Sequence, residues 1–97
     1  MEVRFSRRAL KFIKDKEVQE VFVCLLELDV ADSIGATKDV HVCFEAPDKE
    51  KQFHSHNVEG IEVHVDTALK VTGPVVIKRQ GIWKLSSLYA DGLQVPL

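Results

Sequence analysis

The sequence predicts an α+β domain, one N-terminal helix packed on a mainly antiparallel or mixed sheet that rolls partly toward a barrel. Two patterns carry that expectation. The opening residues place apolar side chains at helical spacing, and from Val21 onward the apolar period shortens toward the two-residue repeat of strands. Length adds a bound: 97 residues fit one domain, 1–97, and leave no room for a second.

The helix is expected from Phe5 to Lys16. Ser6 is its N-cap, because a serine hydroxyl can accept from the unpaired amides of the first turn. Phe5 and Leu10 have the spacing of a hydrophobic staple. Ala9, Leu10, Phe12 and Ile13 form the buried stripe, with Arg7, Lys11 and Lys14 on the other side. Val21 to Val30 is almost continuously apolar, the pattern of a central strand covered on both faces. Ala31 to Lys38, marked by Asp32, Ser33 and Gly35, reads as a turn or loop. Asp39 to Glu45 and Ile61 to Val65 alternate, as half-buried strands do. Asp66 to Thr72 reads as a short helical turn broken by Gly73-Pro74, with further strands at Val75 to Arg79 and Ile82 to Tyr89.

A hydrophobic share of 45% is enough for a modest core, so the two cysteines and four histidines are not needed as ligands to fold the chain. No apolar run approaches the roughly 18 residues of a membrane span. The N-terminus lacks the apolar region of a secretory signal, and the cysteines are far apart in sequence. The expected compartment is therefore reducing, the cytoplasm.

Net charge is −2 and unevenly spread. Residues 1–16 carry six basic and two acidic side chains, and residues 17–50 carry nine acidic and two basic. A concentrated positive footprint is missing, so neither nucleic acid nor a membrane is an expected partner.

The element order and one stretch point to a family. Val58-Glu59-Gly60-Ile61-Glu62-Val63-His64-Val65-Asp66, followed by Ala68-Leu69, is similar to a strand-and-turn phrase of the HesB-like proteins, the A-type iron–sulfur carriers. In length and layout the chain most resembles their small branch, the CC/Se-motif family. That resemblance implies a HesB-like α+β fold. It also implies a cysteine, a Cys-Cys pair or a Cys-selenocysteine pair in the loop between the first two strands, with further C-terminal cysteines in A-type carriers. In this chain the loop positions Asp32, Ser33, Ile34 and Gly35 hold no thiol, and neither does the tail after Tyr89. Iron–sulfur clusters are held chiefly by thiolates, so the carrier's usual chemistry is missing from its usual place.

Cys24, in the apolar strand, reads as a small buried hydrophobe. Cys43 falls on the polar side of its strand and is the more accessible thiol. Setting Cys24 directly opposite Cys43 in a hairpin would also put Phe22 and Leu26 on the face of His41 and Glu45. A shift of one residue aligns the apolar faces, with Cys24 against Val42 or Phe44, and so predicts against a disulfide. It also makes His41 with Glu27 an ordinary polar cross-strand pair.

His54-Ser55-His56 could present two rings on one side of an extended segment. A zinc site needs three or four converging ligands, and no Cys-x-x-Cys or His-x-x-x-His spacing is present. No metal or other cofactor is expected. An iron–sulfur cluster or zinc at Cys43 with His41, His54 or His56 is the alternative. There is no nucleophile elbow, phosphate loop or dinucleotide fingerprint.

The sequence thus ranks a non-enzymatic domain with a protein-interaction role first. A metal, iron–sulfur or thiol-redox protein comes second, using Cys43 with nearby histidines or a loop 32–35 whose original residues included Cys or selenocysteine, and an enzyme third. A homodimer is expected if Val75 to Lys78 or Ile82 to Tyr89 is a sheet edge pairing with its copy, while completion of the core by Trp83, Leu85 and Leu88 is the competing use.

Overall fold

The computed structural model describes residues 1–29, 36–46, 51–82 and 86–96. Along the chain run β1 (Val3–Phe5), α1 (Arg7–Asp15), β2 (Glu20–Asp29), β3 (Ala36–Cys43), β4 (Phe53–Val58), β5 (Ile61–Asp66), β6 (Lys70–Gln80) and β7 (Ser87–Gln94). They form two open sheets, one of order β1-β6-β7 and one of order β3-β2-β5-β4. Both are mixed, because β1 pairs with β6 and β2 with β5 in parallel while the remaining pairs are antiparallel. β7 lies alongside β3, and β1 lies near β4.

The expected α+β class is overturned. The molecule is mostly strand, and its single helix among the described residues is nine residues long. Two strands, and the first part of a third, hid from the sequence for separate reasons. β1 is only three residues long, too short for alternation to show. β4 carries His54, Ser55, His56 and Asn57 and lacks the apolar alternation of a strand. β6 runs through Gly73-Pro74 instead of stopping there, because a register shift between Val71 and Val76 accommodates the proline.

Helix α1 itself follows its caps. Ser6 Oγ accepts from the Ala9 amide at 3.2 Å, and Ser6 N–H donates to Ile77 O at 2.9 Å, tying the helix start to β6. Ala9 and Ile13, one turn apart, are fully buried, and Arg7, Lys11 and Lys14 face solvent as the spacing predicts. The core is Val21 and Val23 of β2, Ile61, Val63 and Val65 of β5, Val75 and Ile77 of β6, with Leu69, Leu93 and the two helix residues. Burying each of the Val, Ile and Leu side chains is worth about 1.5–3 kcal/mol.

The family-like phrase is a hairpin. Val58 pairs with Ile61, and Glu59 and Gly60 both take positive φ, 53° and 84°, the backbone of a tight two-residue turn. Asn57 Oδ1 accepts from Gly60 N–H across it at 3.3 Å. Of the two segments expected as edges, Val75 to Lys78 is none, since β6 has a partner on each side. β7 is the outer strand of its sheet, and Trp83 to Leu85 lie outside the described residues. No helix in the described residues is long and apolar enough to cross a membrane.

Candidate functional site

The four-stranded sheet has two different faces. One turns Val21, Val23, Val63 and Val65 into the core. The other carries Glu20, Phe22 and Cys24 from β2, His41 and Cys43 from β3, Glu62, His64 and Asp66 from β5, and Ser55 from β4, because directly paired residues point to the same side. Both cysteines and two of the four histidines, His41 and His64, lie on this outer face.

Its register corrects the sequence reading. Phe22 pairs with Cys43 and Cys24 with His41, so both thiols share a face with Phe22. The backbone of Glu27 pairs with Lys38, not His41. Apolar matching could not decide this parity because β2 is covered on both sides. Phe22, on the outer face, is only 9% exposed, with His64 stacked on it at 4.7 Å between centroids and Phe53 edge-on at 5.5 Å.

Cys24 and Cys43 are thus diagonal neighbours, and their sulfurs lie 3.9 Å apart as free thiols. Cys24 is 1% exposed and its thiol points to His41 O at 3.5 Å. Cys43 is partly exposed and donates to Glu45 O at 3.2 Å. Burial, reinforced by the neighbouring Cys43, pushes the Cys24 thiol up to about 12, so it rests protonated. Lys51 acts in the opposite direction. Its ammonium lies 3.1 Å from Asp66 Oδ2 and donates to Leu25 O at 3.1 Å, next to Cys24 in β2.

A second cluster lies beside the thiols. Ser55 Oγ is 2.7 Å from His64 Nδ1, and His64 Nε2 is 3.3 Å from Glu20 Oε1. A carboxylate only accepts, so His64 Nε2 is the donor to Glu20; in the neutral ring Nδ1 then accepts from the serine hydroxyl. The row closes polar side chains over Phe22.

The suggested metal set is not assembled. Cys43 and His41 are on the outer face, whereas His54 and His56 pair with Val65 and Val63 and belong to the core-side face. There the two histidines line a shallow cleft of about 330 Å³ with Met1 and Ser55. Among the described residues no three of His, Cys, Asp and Glu gather as a metal site. A second cleft, of about 470 Å³ between β3 and β7, is lined in part by His41 and Tyr89 and by neither cysteine.

The loop positions Asp32, Ser33, Ile34 and Gly35 lie outside the described residues. The strands that bracket that segment, β2 and β3, are the ones that carry Cys24 and Cys43. Sequence reasoning weighed Cys24 opposite Cys43 and rejected it on apolar matching, and it missed Lys51 and Asp66 altogether.

No curated protein and no solved structure matches the chain. A family model does, over residues 1–93, and the chain belongs to the CC/Se motif containing family.

Proposed function

We propose that this small domain is a thiol–disulfide exchange protein whose working pair is Cys24 and Cys43. The 3.9 Å separation of two free sulfurs on neighbouring strands carries the reading. It moves the thiol-redox alternative ahead of the interaction role that the sequence alone ranks first. With two thiols together and no third ligand gathered among the described residues, exchange suits this site better than cluster carriage.

The partly exposed Cys43 is the entry thiol. Its thiolate attacks one sulfur of an incoming disulfide, forming a mixed disulfide and releasing one thiolate, which takes up a proton. Cys24 then attacks the Cys43 sulfur, closing the protein disulfide and expelling the second thiol. Two protein thiols and one external disulfide become one protein disulfide and two external thiols. Cys24 is held protonated partly by Cys43 itself. Once Cys43 is in a mixed disulfide its own influence is gone; burial and Asp66 still favour the neutral thiol, and Lys51 opposes them.

Incubation of the reduced protein with excess low-molecular-weight disulfide tests this, read by intact mass and peptide mapping. A Cys24–Cys43 crosslink with the loss of two hydrogens is expected, and Cys24→Ala should stop at the mixed disulfide on Cys43. Two thiols that stay free, or a wild-type adduct on Cys43 that never closes, would overturn the proposal.

A further inference from the structure

Resting on that reading, we infer that the exchange partner is cationic: a low-molecular-weight disulfide bearing ammonium groups close to its sulfurs. The charges around the entry thiol carry this. Cys43 is followed two residues later by the exposed Glu45, whose carbonyl its thiol already contacts at 3.2 Å. Across the ladder, Phe22 pairs with Cys43, and Glu20, two residues before Phe22, lies one step farther along the same face. Glu62 pairs with Glu20 and extends the acidic edge onto β5. Asp39, exposed, stands beyond His41 along β3 on the same side as Cys43.

The cations on this face do not cancel that charge. Lys51 is engaged by the buried Asp66 carboxylate. The basic side chains of α1, Arg7, Arg8, Lys11 and Lys14, belong to the helix, which packs against β6 of the other sheet. With Glu20, Glu45, Glu62 and Asp39 around it and Lys51 paired to Asp66, the described surroundings of Cys43 are rich in carboxylates. Such a surface raises the encounter rate of cations and lowers that of anions, and salt removes the difference. The reaction remains the balanced exchange above, with two ammonium-bearing thiols as its products.

The test compares closure of the Cys24–Cys43 disulfide by cystamine, by neutral hydroxyethyl disulfide and by anionic oxidised glutathione. Rates are taken at about pH 8, where free cysteine thiols are partly ionised, and at low and high salt. Each is divided by its rate with a small neutral thiol, to remove intrinsic reactivity. Cystamine should exceed oxidised glutathione by roughly tenfold or more at low salt, with the ratio falling toward one at high salt. Glu20→Gln with Glu45→Gln should shrink the low-salt ratio. Closure by all three reagents at equal normalised rates, or fastest by the anion, would overturn the cationic partner and leave the exchange reading standing. Failure of all three to close the disulfide would overturn both.

Discussion

The Lys51 ammonium and the Asp66 carboxylate, 3.1 Å apart, finish the seam between β2 and β5 where the backbone ladder stops. Pairing of the two strands ends at Val23 with Val65. Two residues on, Leu25 N–H donates to Asp66 Oδ2 at 3.0 Å and Leu25 O accepts from Lys51 at 3.1 Å. Side chains thus take over as strand partner. Asp66 is 3% exposed and also accepts from Ala68 N–H at 3.0 Å.

That arrangement makes Asp66 a source of acid sensitivity. Burial favours its neutral form, but the Ala68 and Leu25 amides and Lys51 outweigh burial and hold the folded carboxyl below its ordinary value. A group depressed on folding stabilises above its unfolded value, about 3.9 for aspartate, and that stability is lost as pH falls through the folded value. Asp66→Asn should cost about 1–3 kcal/mol at neutral pH and flatten the acid limb of stability against pH. Urea midpoints of both proteins between neutral and strongly acid pH check it. Parallel acid limbs would count against the role.

Gly92 should not tolerate a side chain. It sits in β7 with φ of 87°, and a Cβ there would press into the Pro74 carbonyl of the β6 irregularity. The left-handed backbone and the close approach compound each other. Gly92→Ala should destabilise by at least about 1 kcal/mol. Thermal unfolding measures this, and an unchanged midpoint would mean that β7 does not approach the Pro74 carbonyl so closely.

The two thiols should differ sharply in native reactivity. Cys43 is partly exposed, whereas Cys24 is 1% exposed and held protonated by burial. Alkylation of the reduced native protein should therefore modify Cys43 first, with Cys24 following only on denaturation. Peptide mass mapping after a short exposure to iodoacetamide separates the two. Equal labelling, or Cys24 reacting first, would reverse the assignment of the entry thiol.

Legibility in the sequence followed the local signals. Ser6 capping, the Ala9 and Ile13 stripe and the strands near Val21 and Ile61 were readable because each depends on neighbours a few residues apart. The fold class was not, since β4 is polar and β6 passes through a proline. The site failed at one step. Alternation shows that Cys24 and Phe22 share a face, but only long-range contacts reveal that His64 and Phe53 cover that face. With both sides of β2 buried, register carries no apolar signature, and the meeting of Cys24 with Cys43 was hidden there.

The diagonal relation of the two cysteines leads to a prediction about the oxidised protein. Closing a loop of about twenty residues stabilises a protein by roughly 3 kcal/mol in the chain-entropy account. Diagonal neighbours on a sheet, however, have Cα atoms some 7–8 Å apart, at or beyond the reach of an unstrained disulfide of about 7 Å. Cys24 pairs with His41 and Cys43 with Phe22, so a bond between the sulfurs must pull β2 and β3 along each other. The strain offsets most of the entropic gain, and the oxidised form should be no more than about 1 kcal/mol more stable than the reduced one. It should also reopen readily under a dithiol reductant, as an exchange pair must. Denaturant midpoints of the two forms, with Cys24→Ala as the reduced reference, decide it. A gain near the full 3 kcal/mol would show that the strands accept the bond without strain. The pair would then be a structural crosslink and not a reversible one.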